Sequence, residues 1–202
     1  MKVGEWMERK LITIDRKTTI QRAILLMKKH SIRHLPVIDE GRLVGLVTEG
    51  DMRQVFVASL IEELSIDDVM IKDPVTVKSD AEIDDAARLI YYNKIGGLPV
   101  VDEDQRLLGI ITVADIMAAF IELMGVLKSS SRIDVVLGQD PEAFEEVSRI
   151  ISSKGGKIIS VGMLPQSDRK ENIYFFRLKK RRIGKIVDAL GEAGYTVIAS
   201  ME

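Results

Sequence analysis

Hydrophobic and polar positions run through residues 1–127 in one pattern that occurs twice. A short apolar segment ending in methionine, residues 3–7, leads to a β-type run at 11–14. Apolar positions then recur at Ile20, Ala23, Ile24 and Met27, the three- and four-residue spacing of one helix face. Runs at 35–38 and 43–47, joined by a polar turn, predict a hairpin. A last helix starts at Thr48 and carries Met52, Val55 and Phe56. The second pass has a segment at 66–70, a run at 75–77 and a helix with Ile83, Ala86, Ala87 and Ile90. Hairpin runs follow at 98–101 and 107–111, then a helix from Thr112 with Ile116, Ala119, Phe120 and Leu123. Ser79 with Glu82 reads as a capping box at the start of the Ile83 helix.

The residues repeat as well as the pattern. Leu-Pro-Val-x-Asp occurs at Leu35–Asp39 and Leu98–Asp102, and Gly-h-h-Thr-x-x-Asp (h, hydrophobic) at Gly45–Asp51 and Gly109–Asp115. The offset between copies grows by one residue between Asp102 and Arg106, in a turn, as expected of two copies of one folded unit. Each copy reads β-α-β-β-α, over residues 1–64 and 65–127. One such unit buries too little surface alone, so the pair is expected to form one compact module.

The rest of the chain has a different order. Residues 128–131 read as a linker. A strand at 133–137 is followed by a turn at Gly138 and Gln139. Asp140 and Pro141 then open a helix that is expected to bury Phe144, Val147, Ile150 and Ile151. Strands at 157–163 and 172–178 flank a polar loop at 166–171. A helix with Ile183, Ile186, Val187 and Leu190 precedes a final strand at 195–199. The order βαββαβ over 132–202 is the split βαβ, ferredoxin-like arrangement.

Composition narrows the chemistry. With 46% hydrophobic and 30% charged residues the chain has an ordinary globular balance, and its net charge of −2 gives no global case for nucleic acid. No cysteine is present, which excludes thiolate catalysis and Cys-bound zinc and suits a reducing cytoplasm. His30 and His34 are too few for a histidine-rich metal site. No apolar run approaches the roughly 20 residues of a membrane-spanning helix, and the N-terminus has no apolar signal core. The basic run Lys179–Arg182 reads as a solvated strand end or helix start rather than a contact for nucleic acid or phosphate. The acid pairs Asp67-Asp68 and Asp84-Asp85 read as helix starts. Methionines 7, 27, 52, 70, 117 and 124 fall on apolar faces, and Trp6 reads as packing. The helix from Ile116 stays apolar to Leu127, long enough to offer a dimer interface.

The Thr-x-x-Asp corner admits two readings. Threonine as N-cap with an acid at the third helical position is close to a capping box. Alternatively, free N–H groups and the hydroxyl would take a phosphate, while the carboxylate would accept from a ribose diol. Its double occurrence behind Leu-Pro-Val-x-Asp favours the second.

These motifs resemble tandem CBS domains, and the resemblance covers 1–127. It implies a regulatory, non-catalytic module that binds an adenosine ligand between its copies: AMP, ADP or ATP, with NAD or S-adenosylmethionine as alternatives. By that resemblance Asp51 and Asp115 bind ribose and Thr48 and Thr112 contact phosphate. Groups near Ile12, Leu35, Val75 and Leu98 enclose adenine. The pre-proline pair Arg33-His34 lies near Thr112 and Asp115. The second copy has Gly96-Gly97 there, so unequal sites are expected, with the basic pair serving the charged ligand.

Residues 132–202 resemble an ACT-type regulatory domain. The usual Asp-x-Pro-Gly loop is absent here, since Asp140-Pro141 are adjacent and Glu142 follows. The order of the domains is similar to that of bacterial acetoin-utilisation accessory proteins. The implied protein is a cytoplasmic homodimer that acts on an unidentified partner, with no obligatory cofactor. Rival readings are a scaffold with empty clefts, an amino-acid sensor through the ACT-like domain, a small nucleotide-acting enzyme and a DNA-binding regulator. No P-loop, Ser-His-Asp order or basic stripe supports the last two.

Overall fold

A computed structural model describes residues 1–56, 64–127, 129–138, 141–164 and 172–202. The expectations for Lys128, Gln139, Asp140 and the loop at 166–171 lie outside the described residues. The chain divides into two compact units, Met1–Ala119 and Phe120–Glu202.

In the first unit the elements are α1 (Val3–Trp6), α2 (Ile20–His30), β1 (His34–Asp39), β2 (Arg42–Thr48) and α3 (Glu49–Val55). They recur as α4 (Ile66–Val69), β3 (Ile71–Lys72), β4 (Val77–Lys78), α5 (Ile83–Asn93), β5 (Gly97–Val101), β6 (Leu107–Thr112) and α6 (Val113–Leu123), the last of which crosses the unit boundary. Both predicted hairpins form: β1 pairs antiparallel with β2, and β5 with β6. The first closes on Glu40 and Gly41 at φ +48° and +80°, the two left-handed positions of a tight hairpin turn. The second is one residue longer. There Asp102 Oδ1 accepts from the Asp104 and Arg106 N–H groups at 3.0 and 2.8 Å.

The two copies exchange their opening segments. β3, which follows α4, adds to β2 of the first copy, with Gly45 opposite Lys72 and Leu46 opposite Ile71. Glu8, which follows α1, bridges Ile110 in β6 of the second copy through backbone bonds of 2.9 and 3.0 Å. The cores follow suit. Val3 and Met7 pack with Val77, Ile83, Leu98 and Ile111, whereas Ile66 and Met70 pack with Ile20, Leu35, Val47 and Met52. The Arg16 guanidinium holds α4 in place through an ion pair with Asp67. With Lys72 it keeps that carboxyl below the usual carboxylate range.

The motif glycines make the exchange sterically possible. A Cβ on Gly45 would stand 2.4 Å from Met70 Sδ, and one on Gly109 would stand 2.5 Å from Met7 Sδ. Each glycine is the seat of the other copy's methionine.

Several local expectations are corrected. The runs at 11–14 and 75–77 shrink to a one-residue bridge of Ile14 with Val37 and to β4, because each meets its sheet only at its end. Ser79 and Glu82 form no capping box. Glu82 is itself the N-cap of α5, and its carboxylate is drawn to Lys2 Nζ at 2.6 Å. Met7, Met27, Met52 and Met70 are buried, but Met117 is 57% exposed on α6.

The second unit contains β7 (Ser130–Leu137), α7 (Pro141–Ser153), β8 (Ile158–Leu164), β9 (Asn172–Lys179), α8 (Gly184–Glu192) and β10 (Thr196–Met201). The sheet runs β10-β7-β9-β8, with every pairing antiparallel. Alternate residues Ile133, Val135, Leu137, Phe176 and Leu178 form its core with Val147, Ile151, Ile186 and Leu190 of the helices. Phe144 is 40% exposed rather than buried, its ring against those of Tyr174 and Phe176. The expected linker is shorter than 128–131. Ser130 and Ser131 lie in β7, where Ser131 Oγ donates to Arg181 O at 2.8 Å and accepts from Arg181 N at 3.0 Å. The basic run at 179–182 is therefore anchored through Arg181 and not wholly solvated.

Gly109→Ala is expected to destabilise the protein by about 1–3 kcal/mol through overpacking against Met7. Urea denaturation reads this out. Met7→Ala is itself destabilising because it empties part of the core, and in that background Gly109→Ala should cost less but not nothing, because the new Cβ also meets Glu8 O at 3.0 Å.

Candidate functional site

Each Thr-x-x-Asp corner stands where a hairpin's second strand turns into a helix. Thr48 is the N-cap of α3 in extended backbone (φ −112°, ψ 161°). Its Oγ1 donates to Asp51 Oδ2 at 2.7 Å, its N–H donates to the same oxygen at 3.0 Å, and Asp51 N donates back to Thr48 Oγ1 at 3.3 Å. Thr112 repeats this at α6, donating to Asp115 Oδ2 from Oγ1 at 2.7 Å and from N at 2.8 Å. The capping box is thus real in the first copy and closely reproduced in the second. It uses only Oδ2, and Oδ1 of either aspartate has no hydrogen-bond partner among the described residues.

The loop before each proline is tied to the same corner. Arg33 O accepts from Glu49 N at 2.9 Å and Gly96 O from Val113 N at 3.2 Å, satisfying the first helical N–H of α3 and α6. His34 is half-buried, and its Nε2 lies 2.9 Å from where a Cβ on Gly96 would stand. A side chain at Gly96 would displace that imidazole. Burial, and then the Arg33 charge, hold the His34 pKa below the usual imidazole value, with Asp51 opposing.

A cleft of about 930 Å³ lies between the two copies. Of the predicted residues, Arg33, His34, Thr48, Val75, Gly97, Thr112 and Asp115 line it. Asp51, Ile12, Leu35 and Leu98 do not. Leu35 and Leu98 are fully buried, one in each core, because strand alternation turns them away from the cleft. Ile12 packs half-buried against the first core. The apolar wall is instead Ile32, Leu46, Ile71, Val75, Ile95 and Ile110. Sequence reasoning missed Glu8 and Ile71, which arrive by the exchange of segments. It also missed Lys94, although aligning the copies on their prolines places Lys94 opposite Ser31, another cleft residue. Among the described residues no group of three His, Cys, Asp or Glu is placed to hold a metal ion, and no helix is long and apolar enough to cross a membrane.

Two exchanged β-α-β-β-α copies around a polar-edged apolar cleft define a tandem ligand-binding pair. The chain belongs to the CBS-domain family, whose sequence model matches residues 3–58 and 66–122. Among curated relatives it is 34% identical over 156 residues to the inosine-5'-monophosphate dehydrogenase of Methanocaldococcus jannaschii. That match spans 76% of this chain but 30% of the enzyme. Among solved structures it resembles the Vibrio cholerae protein named AcuB, at TM-score 0.57 and 34% identity over 62% of this chain and 96% of that one. It resembles the CBS domain pair of protein MJ0100 bound to 5'-methylthioadenosine and S-adenosyl-L-methionine, at TM-score 0.55 and 31% identity over 59% and 95%. It also resembles CBSX2 bound to AMP, at TM-score 0.56 and 30% identity over 60% and 96%.

Two outcomes are expected. Thr112→Ala removes the hydroxyl of the cap and should lower stability by about 1 kcal/mol in chemical denaturation. His34, with its pKa depressed in the fold, contributes stability that is complete above the ordinary imidazole pKa and is lost as pH falls through the lowered one. Urea midpoints across mildly acidic pH should therefore fall less steeply in His34→Gln.

Proposed function

We propose that this chain is a non-enzymatic regulatory sensor that binds an adenosine compound in the cleft of its CBS pair. The observation that carries this is that Thr112, Asp115, Arg33 and His34, contributed by both copies, line one cleft. The unused Asp115 Oδ1 suits a ribose hydroxyl, and Ile71, Val75 and Ile110 offer an apolar wall to a base. Solved relatives that hold AMP, S-adenosyl-L-methionine or 5'-methylthioadenosine support the same ligand class.

In this reading the domains are the two copies at 1–64 and 65–127 and an ACT-like domain at 132–202. The strand order β10-β7-β9-β8 supports the last assignment. The ligand biases the relative position of the copies, and the ACT-like domain or a partner protein reads out the change, provided that affinity differs between two states. The protein works as a cytoplasmic homodimer, and the exposed apolar residues Met117 and Leu123 of α6 supply the pairing face.

A thermal-shift series with AMP, ADP, ATP, NAD and S-adenosylmethionine tests the reading. A ligand at about 100 times its Kd should add roughly 2.7 kcal/mol of stability and raise Tm. Asp115→Ala should abolish the rise. If no adenosine compound shifts the folded wild-type protein, the sensor reading fails and the clefts belong to a scaffold.

A further inference from the structure

The basic run at 179–182 does not stand alone in the fold. β9 ends on Lys179, whose N–H donates to Lys157 O at 2.9 Å, so the turn between α7 and β8 lies alongside the segment between β9 and α8. Arg181 fastens the two together. Its guanidinium donates to Gly155 O, while Ser131 Oγ accepts from its backbone N–H at 3.0 Å and donates to its C=O at 2.8 Å. A Cβ on Gly155, at φ +79°, would stand 2.9 Å from Arg181 Nη1, so the contact needs the glycine. Lys154 and Lys157 are thereby set beside Lys179, Lys180 and Arg182, and α8 adds Lys185 in its first turn. All six are exposed. None of their side chains has an ion pair or a hydrogen bond among the described residues.

Nearby acids are too few to cancel this charge. Glu202 turns Oε1 to the Ile183 N–H at 2.8 Å, and Asp188 stands about one turn beyond Lys185. Glu142, Glu145 and Glu146 belong to the first half of α7, away from the end that leads to Lys154. A chain of net charge −2 thus carries a local excess of cations, held in place by backbone bonds.

The makeup of this surface selects its partner. Within 154–157 and 179–182 only lysine, arginine and glycine reach solvent. These segments offer no apolar side chain to insert into a membrane and no aromatic ring to stack on an unpaired base. Lysine is depleted from packed protein interfaces. Lysine and arginine donate but do not accept, so they cannot take the hydrogen of a ribose 2′-hydroxyl, the group that marks RNA. Fixed point charges suit the regular phosphates of a stiff duplex. We propose that this end of the second unit binds the phosphate backbone of double-stranded DNA without reading its sequence. The contact uses neither the cleft nor its ligand, so it stands or falls apart from the sensor reading.

Fluorescence anisotropy of a labelled DNA duplex at low salt tests this on the full chain. Affinity should fall with salt at a log–log slope of about −4 to −5, at about −0.9 per phosphate engaged. Lys154→Gln with Lys157→Gln, and Lys180→Gln with Arg182→Gln, should each weaken binding about tenfold and make the slope shallower by about 2. Lys28→Gln with Lys29→Gln, an exposed pair on α2, should change neither. A duplex of different sequence should bind within about threefold. Arg181 is kept in every variant because it holds the segments together, and thermal melting establishes that each variant is folded. A folded wild type that leaves the duplex free at low salt overturns the proposal. So does unchanged affinity in both Gln pairs of the second unit, or an equal loss in the α2 pair, which would mean diffuse attraction only. Tighter binding to single-stranded DNA, duplex RNA or vesicles of anionic lipid than to duplex DNA overturns it as well.

Discussion

The seating of Met7 on Gly109, mirrored by Met70 on Gly45, is the contact on which the first unit depends. It brings α1 and α4 against the opposite copy and lets the residue after each methionine join that copy's sheet. Those next residues, Glu8 and Ile71, then become wall of the cleft. Closing the cores and building the ligand site are consequently one event. The motif glycines Gly45 and Gly109 are clearance for a thioether.

The Thr-x-x-Asp corners show why two rival readings of one motif need not compete. The cap engages Oδ2 of Asp51 and of Asp115 and leaves Oδ1 without a partner. A carboxylate pinned by its own helix start is also pre-oriented, so a ligand hydroxyl meets an acceptor that has little rotamer freedom left to lose. Under the proposed function, Asp115 would hold its corner rigid with one oxygen and offer the other to the cleft.

Much of this was legible in the chain because it is local. The 3.6-residue stripe of α2 and α5 and the paired apolar runs of the hairpins each report burial directly, and the repeat gave every assignment a second witness. The exchange was not legible. Periodicity says that Val3, Met7, Ile66 and Met70 are buried, but not in whose core. β3 offered no signal, because both of its residues are exposed. Of the polar residues expected at the site, Arg33, His34, Thr48, Thr112 and Asp115 line the cleft and Asp51 does not. Leu35 and Leu98 went astray because a resemblance names a neighbourhood, while strand alternation decides which side chain faces it. Glu82 escaped its expected capping role because its nearest cation, Lys2, lies far away along the chain.

The exchanged α1 also imposes an order on biosynthesis. Val3 and Met7 leave the ribosome early, yet the surface that receives them includes Val77, Leu98 and Ile111. At about 5–20 residues per second, the nascent chain carries that apolar turn without its partner for roughly 5–20 seconds. The first copy meanwhile awaits Ile66 and Met70 to close its own core. The first core is thus complete once Met70 has emerged, whereas the core that receives Val3 and Met7 waits for the β5–β6 hairpin.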